Sequence, residues 1–503
     1  MMDTPKGTVR EWLDLRADQG GGGFVFPDGA PDLSWVELRD AARRIACMLT
    51  GLGVAKGESI AILYPNCREA LEVVFGVLYG GFRATMINLV AGDSAVAYAL
   101  EHSDARYGFV HPDQTDLFDR NANREAITPL QVAQAEGATG DLHDLSPEDH
   151  ALLMYTSGTT GRPKGVVHTH SSLLAGGWTT AVAHELTADD RGFCVLPIYH
   201  INGLCVTVMG TLVSGGSLAM CERFSASRFW DNLGRAQATW FSVVPTIISH
   251  LLHSDLNPDE EACKRVRFGR SASSALAPDV QRAFEKRFAV PIIETMGLTE
   301  TAAQILSNPL PPGVRKIGSP GIAYGNEAAI FDADLQPAAR ETEGELVIRG
   351  PNVMLEYLKD SDATAGTFTP DGWLRTGDLG RMDADGYVYV TGRLKELIIK
   401  GGENIAPREI DEALYSHPDV VEAAAFARPC KSYGETVAAA VRLRDGSDLT
   451  AQALLEICQS RLGKFKSPDE IHLLGDLPKG PSGKIQRNRI LAIVEERAGA
   501  STS

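Results

Sequence analysis

Between Ser59 and Val110 short apolar runs alternate with amphipathic stretches: SIAILY (59–64), REALEVVFGVLYGG (68–81), ATMINLV (84–90), GDSAVAYALEHSDA (92–105) and YGFV (107–110). The runs have strand length, and the stretches between them repeat apolar residues at helical spacing. The order β-α-β-α-β implies a parallel sheet covered on both faces by its crossover helices. The same alternation returns in FCVLPIY (193–199), WFSVVPT (240–246), VRFG (266–269), PDVQRAFEKRF (278–288) and VPIIETMG (290–297). The expected fold is α/β, with a large N-terminal domain of packed, mostly parallel sheets and covering helices.

At 503 residues the chain is too long for a single core. From EGELVIRGPNV (343–353) onward glycines and alternating strands predominate, as in GYVYVTGR (386–393) and ELIIKGGENI (396–405). The C-terminal part reads as a small α+β unit. It has a helix in APREIDEALYSHP stopped by Pro418, strands in VVEAAAFA and TVAAAVRLR, a helix after Thr450 and a last strand in IHLLGDLP. The expected division is 1–393 and 394–503, joined by a tight hinge.

The excess of 65 acidic over 48 basic side chains, a net charge of −17, argues against nucleic acid or an anionic membrane as the main partner. The eight cysteines include no C-x-x-C pair, so neither a zinc site nor a disulfide framework is expected. The N-terminal residues are too charged for a secretory signal, and no apolar run reaches the roughly 18 residues of a membrane span. The terminal Ser501-Thr502-Ser503 is not a peroxisomal address. A cytoplasmic protein with no transmembrane segment is expected; whether it is a monomer or a dimer leaves no mark in the sequence.

The richest chemical signal is YTSGTTGRPKG, Tyr155 to Gly165, directly after the apolar run ALLM. Thr156, Ser157, Gly158, Thr159, Thr160 and Gly161 supply hydroxyls and unobstructed backbone N–H groups that can close around phosphate oxygens, and Lys164 adds a charge. Alone, such composition more often makes a plain surface loop, and it is not a Walker A sequence. The complete pattern resembles the signature of the adenylate-forming superfamily of acyl-CoA synthetases, adenylation domains and luciferases. MGLTE (296–300), GWLRTGDLG (372–380), GRLKELIIKGGENIAP (392–407) and PKGPSGKIQR (478–487) resemble its later segments in order.

The resemblance implies ATP, Mg2+ and coenzyme A as cofactors and an acid:CoA ligase reaction through an acyl-AMP. Asp378, placed in a T-G-D turn, and Arg393 would hold ribose and phosphate. Ser273, Ser274, Ala275, Thr295, Met296 and Gly297 would face the adenine. Glu300 beside Thr299 would take the magnesium, which favours one or two carboxylates plus phosphate oxygens. Lys484 would neutralise the α-phosphate and the acid carboxylate during adenylation. Lys395 would be the hinge about which the small domain swings, and Gly401 and Gly402 would let pantetheine pass close to backbone. Read without the resemblance, each is an ordinary turn acid, edge charge or solvated lysine. Met296 stands where the family has an aromatic ring, SASSAL (271–276) replaces its small G-A-P stretch, and Glu356 replaces a customary glycine for no evident reason.

For the acid, His200 in LPIYHING resembles the family's pocket gate, with Val244 and Gln304 among the lining positions. In VRFGRSAS, Val266, Phe268 and Arg270 share one face of a strand, the first two apolar, which puts Arg270 at the pocket end of an inward face. A guanidinium suits a second anion or a structural ion pair equally well. RSASSALAPDV and SNPLPPGVRKIGSPG resemble the oxalyl-CoA synthetase branch. The expected substrate is a short acid with a second anionic group, such as oxalate, malonate or sulfoacetate. An aromatic or medium-chain acid, a luciferase-type oxygenase and a carrier-protein adenylating enzyme remain the alternatives.

Overall fold

The computed structural model describes residues 2–156, 163–480 and 483–500, the last three by backbone alone. Its first sheet has seven strands. His150–Thr156, Arg83–Met86, Ser59–Leu63, Tyr107–Val110 and Thr128–Leu130 run parallel, and Lys164–Thr169 and Glu356–Tyr357 extend one edge antiparallel. Every residue of Ser59–Leu63 is buried, as a strand covered on both faces requires. The second sheet lays Gly23–Val25, Ser217–Met220, Arg191–Cys194, Trp240–Val243, Phe268–Ser271 and Ile292–Leu298 parallel, before turning antiparallel at Ala303–Ser307 and Ile322–Ala323. The helix Pro278–Phe288 covers it with Val280, Phe284 and Phe288, an i, i+4, i+8 stripe that continues the core of Phe241, Val243 and Ile292.

Two further sheets complete the fold. Glu327–Phe331, Gly344–Arg349, Leu374–Met382 and Val388–Arg393 form an antiparallel sheet. Residues beyond it build a sheet from Ile398–Lys400, Glu403–Ile405, Val420–Cys430, Gly434–Leu443 and Glu470–Leu473, with a core of its own around Ile410, Leu414, Ala439 and Leu454.

Four expectations shift. The strand expected over 84–90 ends at Met86 and that over 193–199 ends at Cys194, because loops follow each and the chain then enters a π-helical stretch, Asn202–Met209. The strand expected from Val266 begins at Phe268. Asp378 lies within the strand Leu374–Met382 opposite Arg393, not in a turn; Gly377, at φ +72, supplies the local kink that made the segment read as one. Glu356 extends the first sheet by pairing with Val167.

The parallel pairing of Trp240–Val243, Phe268–Ser271 and residues 292–294 ends side by side, so Val244, residues 272–275 and Thr295–Gly297 follow at one edge of the parallel part, the last three going on to pair antiparallel with Ala303–Ser307. In an open parallel sheet the carboxyl ends of the strands are where a ligand crevice forms.

Candidate active site

A cleft opens at those strand ends. The large part of the chain lines it with Ser273, Ser274, Ala275, Glu294, Thr295, Met296, Gly297, Asp378 and Arg393, and the C-terminal part with Glu396, Asp411, Lys484 and Arg487. A Cβ on Gly297 would overlap the carbonyl oxygen of Ala303, so only glycine lets these strands cross here. Ser273 turns its backbone to φ +74, which bends the loop over the cleft. Thr295 Oγ1 donates to Ser271 O at 3.2 Å and ties that loop to the neighbouring strand.

Asp378 is buried, and its Oδ1 pairs with Arg393 Nε at 3.0 Å. Oδ2 is buried with no partner among the described residues. An orphaned buried acceptor costs roughly 1–3 kcal/mol, a reason for a ligand hydroxyl to fill it. Burial raises the Asp378 carboxyl above its usual range, with Arg393 opposing. Glu294 repeats the pattern: Oε1 accepts from Leu276 N at 3.1 Å, Oε2 is unpartnered among the described residues, and burial raises its pKa.

Lys484 Nζ lies 3.7 Å from Glu396, which also faces Arg487 at 3.7 Å. Burial lowers the Lys484 pKa, with Glu396 opposing. Burial would raise Glu396, but the charges of Lys484, Arg487 and Arg393 outweigh it and hold that carboxyl low. Sequence reasoning passed over Glu396, whose partner lies far along the chain. Arg487 in turn pairs with Asp411.

Thr156 and Lys164 sit opposite each other at the mouth of the glycine-rich loop, whose Ser157, Gly158, Thr159, Thr160 and Gly161 lie outside the described residues. Lys164 Nζ stands 4.4 Å over the Tyr357 ring, and Tyr357 OH donates to Glu300 Oε1 at 2.8 Å. The loop's end and Glu300 thus converge. Thr299 opens the short turn that carries Glu300, and its carbonyl accepts from buried His168 Nε2 at 2.7 Å. No cluster of three or more metal-ligating side chains occurs among the described residues. A single carboxylate plus phosphate oxygens is the way magnesium is usually held, so Glu300 fits that ion.

Arg270 is 1% exposed and meets only neutral groups. Nη1 donates to Asn202 Oδ1 at 2.7 Å and Ser242 Oγ at 3.2 Å, and Nε to Gln304 Oε1 at 3.2 Å. No carboxylate pairs with it among the described residues, and burial pulls its pKa down to about 9. Phe268 on the same strand lies nearly parallel to the rings of Trp240, at 5.7 Å, and His184, at 4.9 Å, which are themselves 6.5 Å apart. His184 is held neutral, its pKa lowered to about 3 by burial and then by the Arg270 charge. His200, two residues before Asn202, is also neutral: burial lowers it to about 4, and Nε2 has no partner among the described residues. Gln304 Nε2 donates to Thr179 O at 3.1 Å. Buried Val244 stands beside Gly483, next to Lys484.

Gly401 and Gly402, at φ +61 and +89, turn the chain between Ile398–Lys400 and Glu403–Ile405, away from the cleft lining. Lys395 is exposed in the tight turn closed by Glu396 N donating to Arg393 O at 2.9 Å. The C-terminal part docks through the helix Pro245–Leu252 and the residue after it. Thr246 Oγ1 donates to Gly483 O at 3.2 Å, Ser249 Oγ to Val421 O at 2.6 Å, and His250 and His253 reach Glu422 and Pro418 O, each at 3.0 Å. This docking places Lys484 in the cleft. No described helix is long and apolar enough to cross a membrane.

A family model for AMP-binding enzymes matches residues 16–358, and one for the AMP-binding enzyme C-terminal domain matches 409–484. A sulfoacetate–CoA ligase of Cupriavidus necator is 45% identical over 481 residues, 93% of this chain and 94% of that protein. An oxalate–CoA ligase of Arabidopsis thaliana is 34% identical over 493 residues, 93% and 96% of the two chains. Among solved structures, ATP-bound MatB from Rhodopseudomonas palustris matches with a TM-score of 0.89 at 29% identity, over 97% of this chain and 98% of that one. With the cleft, the loop and the two matched segments in this order, the chain belongs to the AMP-binding enzyme family.

Proposed function

We propose that this protein is an AMP-forming acid:CoA ligase whose acid carries a second anionic group. ATP and the carboxylate give an acyl-adenylate and pyrophosphate, and the thiol of coenzyme A then takes the acyl group and releases AMP. The observation that carries the choice of acid is Arg270, a buried guanidinium with no counter-ion among the described residues. A fatty or aromatic acid would leave that charge uncompensated, at a cost of several kcal/mol. A second anion on the substrate supplies the missing partner. The likeness to a sulfoacetate–CoA ligase puts sulfoacetate first, with oxalate and malonate next.

In this reading Asp378 and Arg393 hold the ribose, Oδ2 of Asp378 being the free acceptor. Ser273–Ala275 and Thr295–Gly297 face the adenine, and Thr156, Lys164 and the loop between them face the phosphates. Magnesium held by Glu300 would offset phosphate charge. Lys484 leaves Glu396 for the α-phosphate and the acid carboxylate, where two anions must approach. The chain divides at 393/394 and swings at Lys395, after which Gly401 and Gly402 admit pantetheine. The reaction is cytoplasmic, in keeping with eight free cysteines.

The test is a pyrophosphate-release screen over sulfoacetate, oxalate, malonate, acetate, propionate, hexanoate and benzoate, with the CoA thioester identified by mass. A dianionic acid is expected to lead in kcat/KM. A leading monoanionic acid would sink the assignment of the acid while leaving the reaction class intact.

A further inference from the structure

The groups that orient Arg270 share a property that hydrogen bonding alone does not demand. All three are neutral, and two of them, Asn202 and Gln304, are amides. An aspartate fits the space of Asn202 and would make a stronger, charge-assisted bond to the guanidinium. A carboxylate there would also neutralise the charge.

Asn202 is the more informative of the two. It is buried, and it begins the π-helical stretch Asn202–Met209. Arginine has donors only, so the 2.7 Å contact fixes Oδ1 toward Arg270 and turns Nδ2 the other way. Oδ1 also accepts from Ser242 Oγ at 3.4 Å, and Nδ2 donates to Ser273 Oγ at 3.2 Å. Ser273 belongs to the loop that lines the nucleotide cleft. One amide therefore joins the buried guanidinium to the loop over the adenylation site. The two Nη2 protons of Arg270 meet no acceptor among the described residues, so the fork's outer edge is left for a ligand.

We propose that Asn202 is a specificity-determining positioning residue, whose neutral amide aims the Arg270 guanidinium without cancelling its charge, so that the counter-ion is the second anion of the substrate. This rests on the reading of Arg270 given above. Gln304 is the weaker reporter, because a glutamate there would also face the carbonyl of Thr179 that the amide now serves. At Asn202 the lost donor is recoverable, since the Ser273 hydroxyl can rotate to donate to a carboxylate.

The experiment compares Asn202→Asp and Asn202→Ala with the unmodified enzyme. It reads the ratio of kcat/KM for sulfoacetate, oxalate and malonate to kcat/KM for acetate and propionate, with thermal melting as a check on folding. Asn202→Asp should lower the dianion-to-monoanion ratio by about ten- to a hundredfold, the scale of a charge-assisted contact. Asn202→Ala, which loses the aim but not the charge, should lower it less. In the Arg270→Leu background Asn202→Asp should change the ratio no further, because the charge it cancels is gone. If Asn202→Asp fails to fold, Gln304→Glu introduces the carboxylate from the other side and must move the ratio the same way. An unchanged ratio in a folded Asn202→Asp enzyme that still prefers dianions overturns this inference and leaves the reading of Arg270 standing. So does an Asn202→Ala effect as large as that of the aspartate. An unmodified enzyme with no preference for dianions overturns both.

Discussion

In the cleft where we propose that the nucleotide binds, most charged groups have found one another. Asp378 pairs with Arg393, Lys484 with Glu396, Glu396 with Arg487, and Glu300 accepts from Tyr357 beneath the Lys164 ammonium. Around Arg270, where we propose that the acid binds, two amides and a hydroxyl meet the buried guanidinium, and His200 has a ring nitrogen with no partner among the described residues. The first arrangement pairs most of its charges before any ligand arrives, leaving single oxygens of Asp378 and Glu294 open, and lets a ligand exchange partners with the rest. The second keeps a charge unsatisfied. A self-paired charge says little about what binds beside it, because pairing is reason enough for it to be there. An unpaired buried charge is costly to fold, so it carries information about its ligand.

The sharpest way to break this comparison is to remove one cation from each side. Lys484→Ala should slow acyl-AMP formation by ~10²–10³, as when one electrostatic donor to a developing charge is lost. The loss should be the same for every acid tried, since the lysine leaves Glu396 for groups that all acids share. Presynthesised acyl-AMP should still react with CoA, as measured by thioester release in a rapid-mixing assay. Equal damage to both half-reactions would remove Lys484 from the adenylation step. Arg270→Leu should act selectively. Roughly ten- to more than a hundredfold in kcat/KM should vanish on the best dianionic acid, with a relative gain on propionate. A variant that loses all acids alike would make Arg270 a structural residue and not a specificity determinant.

The alternation of apolar strands and amphipathic helices was enough to read the parallel sheets, because a strand buried on both faces has little choice of composition. Element ends were harder. FCVLPIY stays apolar past the last strand residue because much of the loop after Cys194 is buried as well, and in ATMINLV Ile87 is buried while Val90 is an exposed apolar residue, so hydrophobicity does not mark the stop. Asp378 read as a turn residue because T-G-D is turn chemistry, yet only Gly377 needs the unusual backbone, and the strand continues through it. Within the site, motif resemblance marked Asp378, Arg393 and Lys484, which do share one cleft. It passed over Glu396 and Asn202. Asn202 stands before a glycine in I-N-G, which reads as a turn, and its partners Ser242, Arg270 and Ser273 arrive from other strand ends. Nothing local announces such a residue. The pointer is structural: a buried arginine whose side-chain partners are all neutral among the described residues.

The smallest expected effect tests whether the nucleotide side depends on docking at a distance. His250 Nε2 lies 3.0 Å from Glu422 Oε1, and an acceptor-only carboxylate requires that the ring nitrogen carries the proton. Glu422 is fully buried and keeps Lys479 at 3.0 Å, so removing the imidazole does not leave the carboxylate without a charge partner. His250→Ala should therefore cost about 1 kcal/mol of docking, or about fivefold in the population of the arrangement that brings Lys484 into the cleft. Adenylation should fall by no more than that factor, equally for dianionic and monoanionic acids, while the reaction of acyl-AMP with CoA holds or rises. The acid ratio is the discriminating readout. If it moves with His250→Ala, the acid pocket senses the docking, and the two sides of the cleft are one coupled unit rather than two independent solutions to the placing of charge.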